Sequence, residues 1–123
     1  MSLATIQLAL SDADLARFLE KVDPPNIDGC TLWNASTFAG GYGQFKLNRR
    51  SVLAHRVAWT LRHGPIPEGL ELDHVYLRGC RSKRCVNTDH LELVTHEENT
   101  RRRDAALRWR ASVWVWTELD EAA

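Results

Sequence analysis

Apolar and polar residues alternate in two short stretches of the second half of the chain, Leu70 to Asp73 and Leu91 to Thr95. A period of two predicts strands. The loop between them is polar and holds Cys80, Cys85 and four basic residues. After the second strand, Thr95 is placed to cap a helix whose first turn carries Glu97 and Glu98. Upstream, Ser11 and Asp12 open a helix with Leu15, Phe18, Leu19 and Val22 on one stripe, halted by Pro24 and Pro25. Cys30 to Leu47 predicts a β-hairpin, with strands at 30–35 and 42–47 around a turn at Ala39-Gly40-Gly41. Asn48 to Arg50 turns the chain, and Ser51 is expected to cap a second helix reaching about His63, with Gly64 and Pro65 beyond it. Leu53, Val57 and Leu61 share one face of that helix, and Trp33 and Phe45 are expected in the core. The pattern is an α+β fold: helix, hairpin, helix, then strand, loop, strand, helix. Beyond Trp109, the run Val113 to Trp116 fits a helix or a strand equally well.

At 123 residues the chain is expected to form one domain, 1–123. Its core would be 69–110, preceded by a helix and hairpin at 11–47 and a helix at 51–63, and followed by a tail at 111–123. No apolar run is long enough to span a bilayer, and the residues before Asp14 lack the basic start of a signal peptide. The expectation is a cytoplasmic protein, so the three cysteines favour metal binding or free thiols over disulfides. Formal net charge is zero. It is unevenly distributed: Gln44 to Arg110 holds fourteen Lys and Arg against eight Asp and Glu, and the flanks hold the reverse excess. A basic centre suits a surface for nucleic-acid phosphates, or it is a solvated face.

Leu72 to Asn99 gathers Asp73, His74, Cys80, Cys85, Asn87, His90 and Asn99, types that bind metals or move protons. Cys80, Cys85 and His90 are spaced by four residues, and Cys30 can supply a fourth ligand from the hairpin. Such a Cys3His set would be a closed, structural zinc site pinning a loop poor in apolar residues. The plainer alternative is three cysteines packed as small apolar side chains. His74, with an ordinary pKa near neutrality, is the candidate general base. Asp73 precedes it on a strand and would point to the other face, so the strand end or a bend must bring the two together. Arg78, Arg81, Lys83, Arg84, Arg101, Arg102 and Arg103 are the candidate DNA-backbone contacts, with a solvated helix face as the alternative. His55 reads as a structural residue, a ligand or a phosphate contact, Tyr42 as packing or a phosphate contact, and His96 as exposed or phosphate-facing. No helix carries the pattern of a major-groove reader, so little sequence specificity is expected.

Leu72 to Asn99 resembles the core of the HNH endonucleases, the ββα-metal nucleases, and within them the small phage and prophage group. The motifs are Asp73-His74, Cys80, Cys85 to Glu92, Val94-Thr95 and Glu98-Asn99, with further agreement at Gly29-Cys30, Leu32-Trp33, Gly41 to Gly43, Ala54 to Ala58 and Gly64 to Gly69. Thr88 stands where that group has Pro and Thr31 where Trp is common, and the loop before Cys80 is longer. The resemblance implies a ββα-metal core and a DNA endonuclease leaving a 5′ phosphate. It implies that Asp73 and Asn99 bind a catalytic Mg²⁺ or Mn²⁺, that His74 is the base, and that His90, with Asn87 as a second candidate, braces the loop carrying the base. Members of this group act as homing-type nucleases and as helpers of phage DNA packaging in the bacterial cytoplasm, so terminase proteins join DNA as candidate partners. Two non-catalytic alternatives remain: a zinc-stabilised DNA-binding module, and an accessory protein docking through Trp114 and Trp116.

Overall fold

A computed structural model describes residues 10–108. The chain is mixed helix and strand, with two separate two-stranded antiparallel sheets. Helix α1 covers Asp12–Leu19, and Ser11 caps it by accepting from Asp14 N at 3.1 Å. Strands β1 (Gln44–Leu47) and β2 (Arg50–Leu53) form the first sheet, and helix α2 (Ala54–His63) follows directly. Strands β3 (Leu70–His74) and β4 (Leu91–Thr95) form the second, in a register pairing Leu70 with Thr95 and His74 with Leu91. Helix α3 runs from 96 to 108, and Thr95 Oγ1 caps it by accepting from Glu98 N at 3.1 Å. The strand–loop–strand–helix unit expected from the alternating pattern is therefore present.

The expected turn at Ala39-Gly40-Gly41 forms, with Phe38 N donating to Tyr42 O and Gln44 N to Ser36 O, each at 2.8 Å, and Thr37 bridging Gly43, but the regular hairpin is the next one along the chain. Its turn is Asn48-Arg49, both with positive φ (51° and 64°), and it joins 44–47 to 50–53. A two-residue turn with both φ values positive has the twist that a tight hairpin needs, and Asn tolerates it well. Residues 31–33, expected to pair with 42–47, pair instead with the Cys85 loop. Val86 N donates to Thr31 O and Trp33 N to Arg84 O, both at 2.8 Å, and Leu32 bridges Cys85. Ser51 is thus a strand residue. Helix α2 begins at Ala54 without a side-chain cap; its Ala54 N donates to Gly43 O at 2.9 Å.

The main core joins Phe18 of α1, Trp33, Phe45 and Leu47 of β1, Ala54 and Val57 of α2, and Val86. Phe18, Trp33 and Phe45 are mutual neighbours at 5.1–5.7 Å, and Phe45 meets the other two nearly edge-on, a favoured aromatic geometry. Gly43 is needed where the backbone passes this cluster: a Cβ there would sit 2.8 Å from Trp33 Cδ1 and 3.1 Å from Ala54 Cβ. Leu61, expected inward, is exposed, while Thr60 and His55 are buried. Starting the helix at Ala54 puts 54, 57 and 60 on the inner face. A smaller cluster of Cys30, Cys80 and Cys85, with Leu32 against it, forms the second centre. The run Val113 to Trp116 lies outside the described residues.

Candidate functional site

Three segments converge on the cysteine cluster. The first is the turn before Cys30, where Asn26 Oδ1 accepts from Asp28 N and Cys30 N, each at 3.0 Å. The second is the short turn after β3, which ends at Gly79 with φ 100° and delivers Cys80. A Cβ at Gly79 would stand 3.0 Å from Asp28 O, so the close approach of these two segments needs glycine. The third runs from Cys85 to His90. Asn87 ties it to the first by donating to Gly29 O at 2.7 Å, and holds its own turn by accepting from Asp89 N at 3.0 Å.

The ligand atoms of Cys30, Cys80, Cys85 and His90 all lie within 4.8 Å of one another, and their residues are 0 to 6% exposed. His90 Nδ1 is 3.6 Å from both Cys30 Sγ and Cys85 Sγ. Zn–S and Zn–N bonds of about 2.3 and 2.0–2.1 Å at tetrahedral angles place S and N about 3.6 Å apart. The group can therefore hold a metal ion. The three thiols are shifted unequally. Burial pushes the Cys30 thiol up, the Cys80 thiol beside Cys85 pushes that thiol up, and only Cys80 is lowered, by its hydrogen bond with Cys85. Cys30 and Cys85 are thus held toward their neutral thiol forms, and a metal ion bound there would displace their protons.

His90 also meets the loop of the candidate base, through its backbone: its carbonyl accepts from Val75 N at 2.8 Å. His74 ends β3 and turns its ring toward this side of the sheet. Its Nδ1 is 3.4 Å from Cys80 Sγ, and its ring lies 4.8 Å from that of His55 and 5.7 Å from that of Tyr42. Burial lowers the His74 pKa to about 4 and that of His55 to about 3, so both rings are neutral at pH 7. His74 Nε2 and His55 Nδ1 are buried without a hydrogen-bond partner.

Asp73 points the other way, under α3. No bend turns Asp73 and His74 to one face, because the alternation persists to the last residue of β3. Asp73 accepts from Arg102 at 3.0 Å. Glu71 shares its face two residues earlier, and accepts from Asn99 Nδ2 at 2.7 Å. That bond uses the amide nitrogen, not the oxygen a cation would take. His96, exposed as expected, contacts Glu71 at 3.3 Å. Glu71, Asp73 and Asn99 thus lie on the α3 side of β3, across the strand from the His74 imidazole.

The candidate phosphate contacts differ in availability. Arg103 is exposed. Arg81 is exposed, stacks on Tyr76 with its carbon 3.6 Å from the ring centroid, and bonds Tyr76 O at 2.7 Å. Lys83 reaches Gly40 O at 3.3 Å over the Tyr42 ring, and Arg101 pairs with Glu98. Arg78 bonds Leu91 O at 3.0 Å and Glu92 at 3.2 Å, and Arg84 Nε bonds Trp33 O at 2.8 Å. Arg102 departs furthest from the expectation: it bridges Asp73, Glu92 and Glu98 at 3.0–3.1 Å, which makes it a framework cation of the sheet–helix junction.

Three further residues stand at the site, of which Glu71 was not singled out by sequence reasoning. Glu71 could have been, since the parity that selects Asp73 selects it too. His55 was weighed, but its burial against His74 depends on where α2 begins. Tyr42 was read as packing or a phosphate contact, and no local signal places it beside the imidazoles.

Residues 52–101, from β2 into α3, match the profile of a family described as HNH endonuclease. This match spans the β3–β4 sheet and the start of α3 and bears out the resemblance read from the motifs of the segment. Two phage proteins are similar in sequence. One is Protein 7.7 of Escherichia phage T7, 31% identical over 74 residues, or 60% of this chain and 54% of the relative. The other is the uncharacterized gene 5.3 protein of Enterobacteria phage T3, 32% identical over 54 residues, or 44% of this chain and 50% of the relative. The chain spans about half the length of these curated relatives. No solved structure matches at a significant level. Among the described residues, no helix is long and apolar enough to cross a membrane.

Proposed function

We propose that this chain is a metal-dependent DNA endonuclease of the phage or prophage HNH type, hydrolysing phosphodiester bonds by nicking or by cutting both strands. The observation that carries the reading is a neutral, half-buried His74 at the end of β3, adjoining in sequence a strand face on which Asp73 and Asn99 offer oxygen donors. These donors suit a hard cation such as Mg²⁺ or Mn²⁺, with Glu71 as a further carboxylate. When bound there, the ion would stabilise charge on the phosphate and on the leaving 3′ oxygen. His74 takes the proton from the attacking water, and its low pKa keeps it free to accept one at neutral pH. Asn99 and Arg102, three residues apart on α3, hold Glu71 and Asp73 in place. Arg81, Lys83, Arg101 and Arg103 grip the DNA backbone on either side of the site.

The Cys3His group is proposed to hold structural Zn²⁺. It fastens the Cys30, Cys80 and Cys85–His90 segments, which reach the main core through Val86. His90 serves both the metal and the loop of the base. The Asp73–Arg102 ion pair favours a second reading, a zinc-stabilised DNA-binding or packaging-accessory module that does not cleave, because it occupies the candidate metal carboxylate. Supercoiled plasmid separates the two: cleavage with added Mg²⁺ or Mn²⁺ supports the nuclease, and a gel shift without cleavage supports the binding module.

A further inference from the structure

The imidazole of the candidate base and the cysteine cluster meet at one sulfur. Cys80 Sγ is 3.4 Å from His74 Nδ1 and is also one of the four gathered ligand atoms. Cys80 is buried, so water does not compete strongly for this contact. His74 Nε2 is buried and has no hydrogen-bond partner among the described residues, and the His55 and Tyr42 rings lie 4.8 and 5.7 Å from the imidazole.

A neutral imidazole carries one N–H and one lone pair, and its partners decide which nitrogen has which. A thiol at Cys80 can either donate or accept, and here its proton has an alternative acceptor in Ser82 O at 3.5 Å. A metal-bound thiolate has no proton and can only accept. The proton of His74 must then sit on Nδ1, and the lone pair on Nε2.

We propose that Cys80 is a positioning residue for His74: as a metal-bound thiolate its Sγ accepts the Nδ1–H, fixing the tautomer in which Nε2 receives the proton from the attacking water. This rests on the reading of His74 as the base and of the Cys3His group as a metal centre. The metal acts on chemistry through the outer face of one of its own ligands, an arrangement by which ligand orientation and basicity are commonly tuned in the reverse direction. Loss of metal from the cysteine centre would then release the tautomer even with Asp73 and Asn99 intact.

The test is ¹⁵N imidazole NMR on the zinc-loaded full chain, without DNA. His74 is expected as the Nδ1–H tautomer with that proton protected from exchange. Cys80→His keeps four ligands but removes the acceptor sulfur. It is expected to bind one zinc per chain, lose the Nδ1–H signature, and lower kcat tenfold or more with little change in KM. Cys30→His replaces a ligand whose sulfur contacts His90 and Arg81 N, and is expected to keep the signature. An Nε2–H tautomer in the wild type overturns the proposal, as does a Cys80→His protein that keeps both signature and rate. Should the variants not fold, the wild-type spectrum still decides. The underlying readings fail separately: a chain that takes up no zinc removes the metal centre, and His74→Ala cutting as fast as wild type removes the base.

Discussion

Stripping the metal from the cysteine centre should unfold this protein at a markedly lower temperature. Cys30, Cys80, Cys85 and His90 come from three segments with little other apolar packing between them, and all three cysteines are free of disulfides. The pH dependence follows from the thiols. Burial raises Cys30 and the Cys80 neighbour raises Cys85, whereas Cys80 is lowered. Binding a divalent ion must therefore expel two to three protons at neutral pH. Each proton is worth about 1.4 kcal/mol per pH unit, so apparent zinc affinity should rise about 100- to 1,000-fold per unit of pH until the thiols ionise on their own. With free zinc at a hundred times Kd, stabilisation is about 2.7 kcal/mol. At about 4 °C per kcal/mol for a chain of 123 residues, that is a melting shift of about 10 °C. Thermal melts followed by circular dichroism at pH 7.5, with equimolar zinc or excess chelator, measure it directly. Equal melting temperatures in the two samples would refute the reasoning, as would a Cys85→Ser protein that melts with the wild type.

Other outcomes follow from single contacts. Gly43→Ala pushes a Cβ to 2.8 Å from the buried Trp33 ring and should cost about 1–3 kcal/mol in urea unfolding; an unchanged midpoint would show that the indole has room to move. His55 has a folded pKa of about 3 against an ordinary 6.5, so its contribution to stability is complete above 6.5 and is lost as pH falls from there toward 3. The loss should reach up to about 1.4 kcal/mol per pH unit, and His55→Leu should flatten the acid limb of a stability–pH curve; an identical limb would place the titration elsewhere. The Asn99 amide holds the Glu71 carboxyl below its ordinary 4.5, so Asn99→Ala should raise the Glu71 midpoint in a carboxyl NMR titration. No shift in that midpoint would mean the bond does not form in solution.

The strand–loop–strand–helix unit was legible because its signals are local: a period of two in Leu70 to Asp73 and Leu91 to Thr95, and a cap at Thr95. The cysteine set was legible from residue type, although Cys30 is fifty residues from Cys80 and only the fold brings them together. The strand pairing of the hairpin was misread because 31–33 and 42–47 both carry strand-type residues, and pairing is decided by partners. Trp33 and Leu32 find theirs at Arg84 and Cys85, while the positive-φ pair Asn48-Arg49 folds 44–47 onto 50–53. That shift moved the start of α2 to Ala54 and hid the burial of His55. Asp73 and His74 behaved as strand alternation alone dictates. The assumption of a bend was unnecessary: adjacent residues on opposite faces can still flank one phosphate at the end of a strand. The pairing of Arg102 with three carboxylates had no local signal, since Asp73 and Glu92 become neighbours only through the β3–β4 register.

The measurement that bears most directly on the central claim is cleavage of supercoiled plasmid by zinc-loaded protein, with and without Mg²⁺ or Mn²⁺, beside His74→Ala. The account predicts nicked or linear product only when the divalent ion is added, and a loss of at least 100-fold in the variant, the usual lower scale of general-base catalysis. Cleavage undiminished in His74→Ala, or no cleavage by a wild type that shifts DNA on a gel, would contradict it.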